Sequence, residues 1–323
     1  MSRNEFTTPL IVDENTVRGV LPSLDVQSTL AAMFRALGED NAVQPPQTLT
    51  LFPAQAGDFI TYLGAMAQAK VFGAKLSPYI VTAGRPIVTA WTALMSMETG
   101  QPLMWCDAGL LTTERTAGTT ALAVGHLAAA GARHLAIVGS GAIAQAHLRH
   151  VARLRPWESI RVFSPDLSRN TAKQAAFSAI DARATFSASV EDCVRDADVV
   201  MLCTSSGTPV LQRGTITKPA LVTSISTNVV NAHEIDPAWL TDMDVYCDYR
   251  RTTPGSAGEM KLAAERHGWS AQRVAGDLPE LFCGTCPVPS YEKPVFFRSI
   301  GLGLEDVAIA YGLLQRLRGP RDA

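Results

Sequence analysis

The feature that most constrains this chain is a glycine-rich break between a short apolar run and a helical one. Residues 135–138 are apolar, Gly139-Ser140-Gly141-Ala142-Ile143-Ala144 follows, and a helical pattern continues to about residue 154. A strand that turns sharply into a helix needs a residue without a Cβ, which Gly139 supplies. Gly141 lets a pyrophosphate approach the backbone, and Ala144 stands where a small side chain lets strand and helix pack closely. The free N–H groups around Ser140, Ala142 and Ile143 then point at phosphate, aided by the helix dipole. The turn predicts a dinucleotide cradle; the plain alternative is a tight packing turn with no ligand.

The rhythm on either side places this turn in a larger frame. Residues 25–37 carry Leu30, Met33, Phe34 and Leu37 on one helical face. Residues 48–52 look like a strand, and residues 86–107 form a hairpin about Glu98-Thr99-Gly100. The first hundred residues are therefore mixed α and β with antiparallel pairing. Beyond Thr112 the pattern alternates: a helix over about 116–130, a strand at 135–138, a helix over about 142–154, a strand at 160–163. Further strands end at 199–202, 221–225 and 245–247. Such uniformly apolar strands are buried on both faces, so the sheet is parallel and doubly wound. A last helix, about 304–317, is expected to pack back on the N-terminal part. The fold class is thus α/β: a Rossmann-type domain over 116–303, plus a smaller α+β domain over 1–115 completed by 304–323.

Composition narrows the function. The chain has 323 residues, 47% hydrophobic and 18% charged, with a net charge of −2. That is a globular balance without a basic stripe, which argues against nucleic acid. No apolar run is long enough to span a bilayer, and the N-terminal MSRNEFTTPL lacks a signal peptide's apolar core, so a cytoplasmic location is expected. Cys106, Cys193, Cys203 and Cys247 sit in apolar runs and read as buried hydrophobes. Cys283 and Cys286 form a CxxC beside Pro287 and Pro289, with no second ligand pair at zinc spacing, so this is read as a loop and no metal is expected.

The end of the second strand of a dinucleotide fold reads the adenosine ribose. Here it carries Ser164, Pro165 and Asp166, with Arg169 further on. Ser164 does not repel a 2′-phosphate and Arg169 is able to pair with one, whereas Asp166 would suit the hydroxyl of NAD. The reading leans to NADP over NAD.

With the turn placed, the surrounding residues resemble the ornithine cyclodeaminase/μ-crystallin family. The segments that carry the likeness are Gly73-Ala74-Lys75, Leu111-Thr112-Thr113-Glu114-Arg115-Thr116-Ala117, the glycine turn, Thr204-Ser205-Ser206, Glu234-Ile235-Asp236 and residues 298–306. The resemblance implies a two-domain subunit that forms a homodimer through its N-terminal domain, with the site in the cleft. It implies a small amino or imino acid as substrate. It also matches Lys75 to an active-site lysine. Arg115 is the natural cation for a substrate carboxylate, because its fork matches one bidentately. Thr116 is expected to begin a helix and touch the cofactor. Thr204, Ser205 and Ser206 end the fourth strand on the nicotinamide side, with helix capping as their plain alternative. Ser299 and Gly301 match residues near the nicotinamide. Asp306 faces the cleft or is a dipole-stabilising acid.

Three departures from the family pattern bear on the reaction. Gln47 stands where many members have an arginine, and Ile87 where a threonine is frequent. Arg85 is one candidate replacement for the arginine. Asn228 replaces the aspartate of cyclodeaminases. An amide takes up no proton at neutral pH, although it orients a substrate amine. His233 is either a substitute acid/base or a loop residue. The leading expectation is an NAD(P)-dependent reductase of an α-imino acid, or the reverse amino-acid dehydrogenase, with Lys75, Arg115 and Asn228 at the substrate. The alternatives are an ornithine- or lysine-type cyclodeaminase and a non-catalytic NAD(P)H-binding protein of the crystallin type.

Overall fold

The computed structural model describes residues 8–226 and 231–319. The chain opens with β1 (Leu10–Val12), α1 (Glu14–Val20) and α2 (Val26–Gly38). Asp25 starts α2 by accepting from the Ser28 N–H at 2.9 Å, and Val26, Leu30, Met33, Phe34 and Leu37 are its buried stripe. Next come β2 (Ala42–Val43), β3 (Thr48–Leu51), β4 (Gly57–Met66), β5 (Val71–Ile80), β6 (Ile87–Val88), β7 (Trp91–Ser96) and β8 (Pro102–Asp107). At the β7–β8 turn Gly100 has φ +69°, and the Ser96 hydroxyl accepts from the N–H groups of Glu98 and Thr99. These strands form one sheet in the order β1-β8-β7-β5-β4-β2, with β3 on β4 and β6 on β5. All its pairings are antiparallel except β1 with β8.

The second half runs α3 (Gly109–Leu127), β9 (His134–Val138), α4 (Ala142–Val151), β10 (Ser159–Phe163), α5 (Thr171–Ile180), β11 (Ala184–Phe186), α6 (Val190–Val194), β12 (Val199–Leu202), β13 (Leu221–Ser224), β14 (Asp244–Cys247), α7 (Thr253–Ser256), α8 (Gly258–Arg266), β15 (Val274–Asp277), α9 (Leu278–Cys283), β16 (Val295–Arg298) and α10 (Gly303–Arg318). Among the described residues β9 to β16 make one parallel sheet, ordered β11-β10-β9-β12-β13-β16-β14-β15. The order reverses at β9, between β10 and β12, where a doubly wound sheet opens its ligand crevice. The central strands β12, β13 and β16 are buried at every residue, which is why they carry no alternation.

The chain divides into two compact units, one running to Arg115 and resuming at Leu302, the other Thr116–Gly301. In the first, α10 lies on β4, β5 and β7 and against α2. No helix among the described residues is long and apolar enough to cross a membrane.

Several local expectations need correction. The alanine-rich helix starts at Gly109, not near Thr116, so Thr116 lies inside α3. The Asp107 carboxylate accepts from the Gly109 N–H at 2.9 Å and starts the helix there. No helix follows β12: residues 203–220 are irregular, broken by Gly207, Pro209, Gly214 and Pro219. Helix capping is therefore not what Thr204, Ser205 and Ser206 do. The sequence reading also missed β15 and β16. The latter ends in a buried arginine, Arg298, which pattern reading takes for a surface residue.

Candidate active site

In the first unit, alternation along β5 places Val71, Gly73 and Lys75 on the buried face. Lys75 is flanked by its Cα partners Tyr62 in β4 and Thr92 in β7, both buried. The N-terminus of α10 rests directly on this face. A Cβ on Gly64 would stand 2.6 Å from the Leu304 Cα, and one on Gly303 would stand 2.4 Å from the Leu63 nitrogen. The Gln44 side-chain Oε1 accepts from the Leu304 N–H at 2.8 Å, capping the helix from outside it. This seating brings the first-turn acids Glu305 and Asp306 inward.

Four charged groups meet there. Lys75 Nζ is 2.9 Å from Asp306 Oδ2 and lies over the Tyr62 ring, 4.1 Å from its centroid. Arg115, in the second turn of α3, donates from Nε to Asp306 Oδ1 and from Nη1 to Glu305 Oε2, both at 3.1 Å. Burial pushes the Lys75 ammonium down to about 8; Asp306 opposes that shift and Arg115 adds to it. Burial likewise raises the Tyr62 phenol to about 12. For Arg115 burial works against the charge, but the carboxylates of Asp306 and Glu305 outweigh it, and the guanidinium stays protonated. Two cations and two carboxylates cancel formally, so an added substrate carboxylate meets a site of no net repulsion. Among the described residues the two acids occupy two of the five N–H donors of Arg115.

Lys75 and Arg115 thus come together, although far apart in sequence. Asn228 lies outside the described residues. Gln47 is half-buried, with its Oε1 buried and without a partner among the described residues; Arg85 and Ile87 are exposed. His233 has its Nδ1 2.7 Å from the Asn231 carbonyl oxygen, a contact within its own loop. Asp306 is an inward-facing member of the cluster. Glu305, Tyr62 and Gln44 were not singled out by the sequence reading. A Glu-Asp pair in a helix's first turn is an ordinary dipole partner, and only its burial distinguishes it.

In the second unit, Gly139 ends β9 with φ +128°, and a Cβ there would stand 2.4 Å from the Cys203 carbonyl oxygen at the end of β12. Gly141 is the N-cap of α4 and offers no side-chain cap to the N–H groups that follow; a Cβ on it would meet nothing within 4 Å. The uncapped helix start beside open space fits a pyrophosphate. Ser140, Ala142 and Ile143 surround it. Ser164, at the end of β10, has its hydroxyl 2.8 Å from both Ser140 Oγ and Asp166 Oδ1. Arg169 is exposed. Thr116 is buried in α3.

Of the remaining predicted contacts, Thr204, Ser299 and Gly301 are held by two buried carboxylates. Glu234 accepts from the Thr204 N–H and hydroxyl, the Ser224 hydroxyl, and the N–H groups of Ile225 and Ser226, at 2.7–3.1 Å. It ties together the loops that leave β12 and β13. Asp248 accepts from the Ser299 hydroxyl and from the N–H groups of Ile300 and Gly301 at 2.7–3.1 Å. Ser206 donates its hydroxyl to the Thr208 carbonyl, while Ser205 stands between Thr204 and Ser206 in the Glu234-anchored loop. All six cysteines are free thiols, four of them buried. Among the described residues no group of three or more His, Cys, Asp or Glu is placed to hold a metal ion.

Known proteins match this arrangement end to end. The profile of the "Ornithine cyclodeaminase/mu-crystallin family" matches residues 10–319. The chain is 54% identical over 311 residues, 96% of this chain and 98% of the relative, to the NAD(P)H-dependent anabolic L-arginine dehydrogenase DauB of Pseudomonas aeruginosa. Among solved structures it resembles a probable ornithine cyclodeaminase from Bordetella pertussis, with TM-score 0.85, 27% identity and coverage of 96% and 97%. The Δ1-pyrroline-2-carboxylate reductase of Thermococcus litoralis, solved with NADH and L-proline, has the same fold at TM-score 0.86 and 19% identity, again covering 96% and 97%.

Proposed function

The chain belongs to the ornithine cyclodeaminase/mu-crystallin family, and from that premise we propose that it is an NAD(P)-dependent oxidoreductase interconverting a 2-imino acid and an L-amino acid with a basic side chain. The observation that carries the reaction class is the buried meeting of Lys75 and Arg115 with Glu305 and Asp306. The basic side chain is supported by the 54% identity to an L-arginine dehydrogenase along nearly the whole of both chains.

The first unit binds the substrate carboxylate. Arg115 is held by Glu305 and Asp306 with donors of its fork still available among the described residues, so it is pre-oriented for a planar anion. Lys75, lowered to about 8 by burial, gives its proton to the imine nitrogen as reduction proceeds and takes one back in the oxidative direction. Asp306 keeps the ammonium in place at 2.9 Å. Residues Gly139 to Ile143 would hold the dinucleotide, which would supply or accept the hydride of the reaction when bound. Per turnover, imino acid, NAD(P)H and one proton give amino acid and NAD(P)+.

The protein works as a homodimer through its first unit. The face of β4 and β5 opposite α10 exposes Leu63, Phe72 and Leu76 side by side, an apolar surface of the kind a second copy covers. Its free thiols support a cytoplasmic location.

The test is absorbance at 340 nm with NADPH or NADH, ammonia and 2-oxo-5-guanidinopentanoate, with Δ1-pyrroline-2-carboxylate in parallel. Consumption with the guanidino acid is expected. Ammonia release from ornithine with no net change in absorbance assigns a cyclodeaminase instead, and no turnover of any imino acid rejects the oxidoreductase.

A further inference from the structure

A cation that neither the family likeness nor the glycine pattern singles out reaches the turn of the second unit. Lys173 is the third residue of α5; its backbone N–H is capped by Asn170 at 3.1 Å. Its Nζ donates to Asp166 Oδ2 at 2.6 Å and to Ser140 Oγ at 3.2 Å. Ser164 closes the same group, 2.8 Å from Ser140 and from Asp166. One ammonium, one carboxylate and two hydroxyls thus stand at the end of β10, where a dinucleotide fold meets the adenosine ribose. Lys173 holds the Asp166 carboxyl down at about 2.

On the reading that this turn binds NAD(P), we propose that the Lys173–Asp166 pair is a two-way reader of the ribose 2′ position, and that Lys173, not Arg169, recognises the 2′-phosphate of NADP. A lone carboxylate at this position accepts from a ribose hydroxyl and repels a phosphate. Lys173 cancels that repulsion. Asp166 is exposed and Lys173 half-buried, their side chains 54% and 35% accessible, and a pair so open to water is weakly held. A dianionic phosphate therefore competes well for the ammonium, with the Ser164 hydroxyl as a further donor. With NAD the pair stays closed, and the second oxygen of Asp166 serves the hydroxyl. Arg169 is exposed on the turn before α5, with no side-chain partner among the described residues.

The experiment is titration calorimetry of the intact apoprotein with adenosine 2′,5′-bisphosphate and with adenosine 5′-monophosphate, probes that differ only in the 2′ group. Lys173→Met is expected to weaken the bisphosphate at least tenfold and the monophosphate less than twofold. Asp166→Asn is expected to hold or tighten the bisphosphate and weaken the monophosphate. Equal loss of both probes in Lys173→Met would mean a merely structural lysine and overturns the proposal. So does a loss of bisphosphate binding in Arg169→Met that Lys173→Met does not show. If the unaltered protein binds neither probe, nor NADPH, it is the dinucleotide reading of the turn that falls.

Discussion

Lys75, midway along β5, and Asp306, in the first turn of α10, face each other at 2.9 Å with both side chains 2% exposed. An ammonium so deeply placed is costly unless a carboxylate accompanies it. Its contribution to the fold and the part proposed for it in the chemistry are separable by experiment.

The pH dependence follows from Lys75. If Lys75 is the proton donor, as proposed, its protonated form serves imine reduction, so kcat/KM in that direction is expected to fall as pH rises through about 8. In the oxidative direction the neutral amine is needed, and the same group makes the rate rise through the same pH. Lys75→Met should abolish both limbs. A reductive profile that is flat from pH 6 to 9.5 would remove Lys75 from proton transfer.

Asp306→Asn should move that break to lower pH, because Asp306 raises the Lys75 value against burial. It also strips a buried partner from Lys75 and Arg115, which costs about 3–5 kcal/mol. Urea unfolding and the pH profile together check this. An unchanged midpoint with an unchanged break would show that the pairing is not energetically important.

The two turn glycines should respond differently. Gly139→Ala forces a Cβ against the Cys203 carbonyl at φ +128°, and is expected to lower stability, by roughly 1–3 kcal/mol from steric overlap alone. Gly141→Ala meets nothing within 4 Å, so its melting temperature should stay within about 2 °C, less than the shift of a 1 kcal/mol change. The added methyl nonetheless occupies the phosphate approach, and NADPH affinity should fall more than tenfold. If Gly141→Ala binds NADPH normally by fluorescence titration, the cradle has been misplaced.

The apolar face of β4 and β5 predicts an association. Phe72→Glu, on the side of the sheet away from α10, should convert a dimer to monomers at micromolar concentration. Light scattering after size exclusion reads the mass directly. A monomeric parent protein would refute the homodimer.

Much of the second unit was legible because its signals are local. A buried strand, a glycine turn and a helix lie within about twenty residues, and each has its own composition. The helix after β12 was expected only by extension of that alternation; Gly207, Pro209, Gly214 and Pro219 preclude it. β16 stayed hidden because Arg298 looks like a surface residue until Glu259, 2.8 Å away, and Ser224 are seen to surround it. For Thr204 and Ser299, expected from the sequence at the cofactor, the tertiary structure adds hydroxyl partners that the sequence does not reveal, Glu234 and Asp248.

By itself, the sequence determined the periodicities, the positive-φ turn at Gly139 and the presence of Lys75 and Arg115 in recognisable segments. These are properties of neighbouring residues, and a one-dimensional pattern contains them. Only the tertiary structure decided what the cations face. Glu305 and Asp306 become their partners because Gly64 and Gly303 let α10 approach β4 to backbone contact, and Lys173 reaches Ser140 because α5 returns alongside the turn. Charge, burial and the resulting pKa depend on three-dimensional distance and on exclusion of water, and separation along the chain encodes neither.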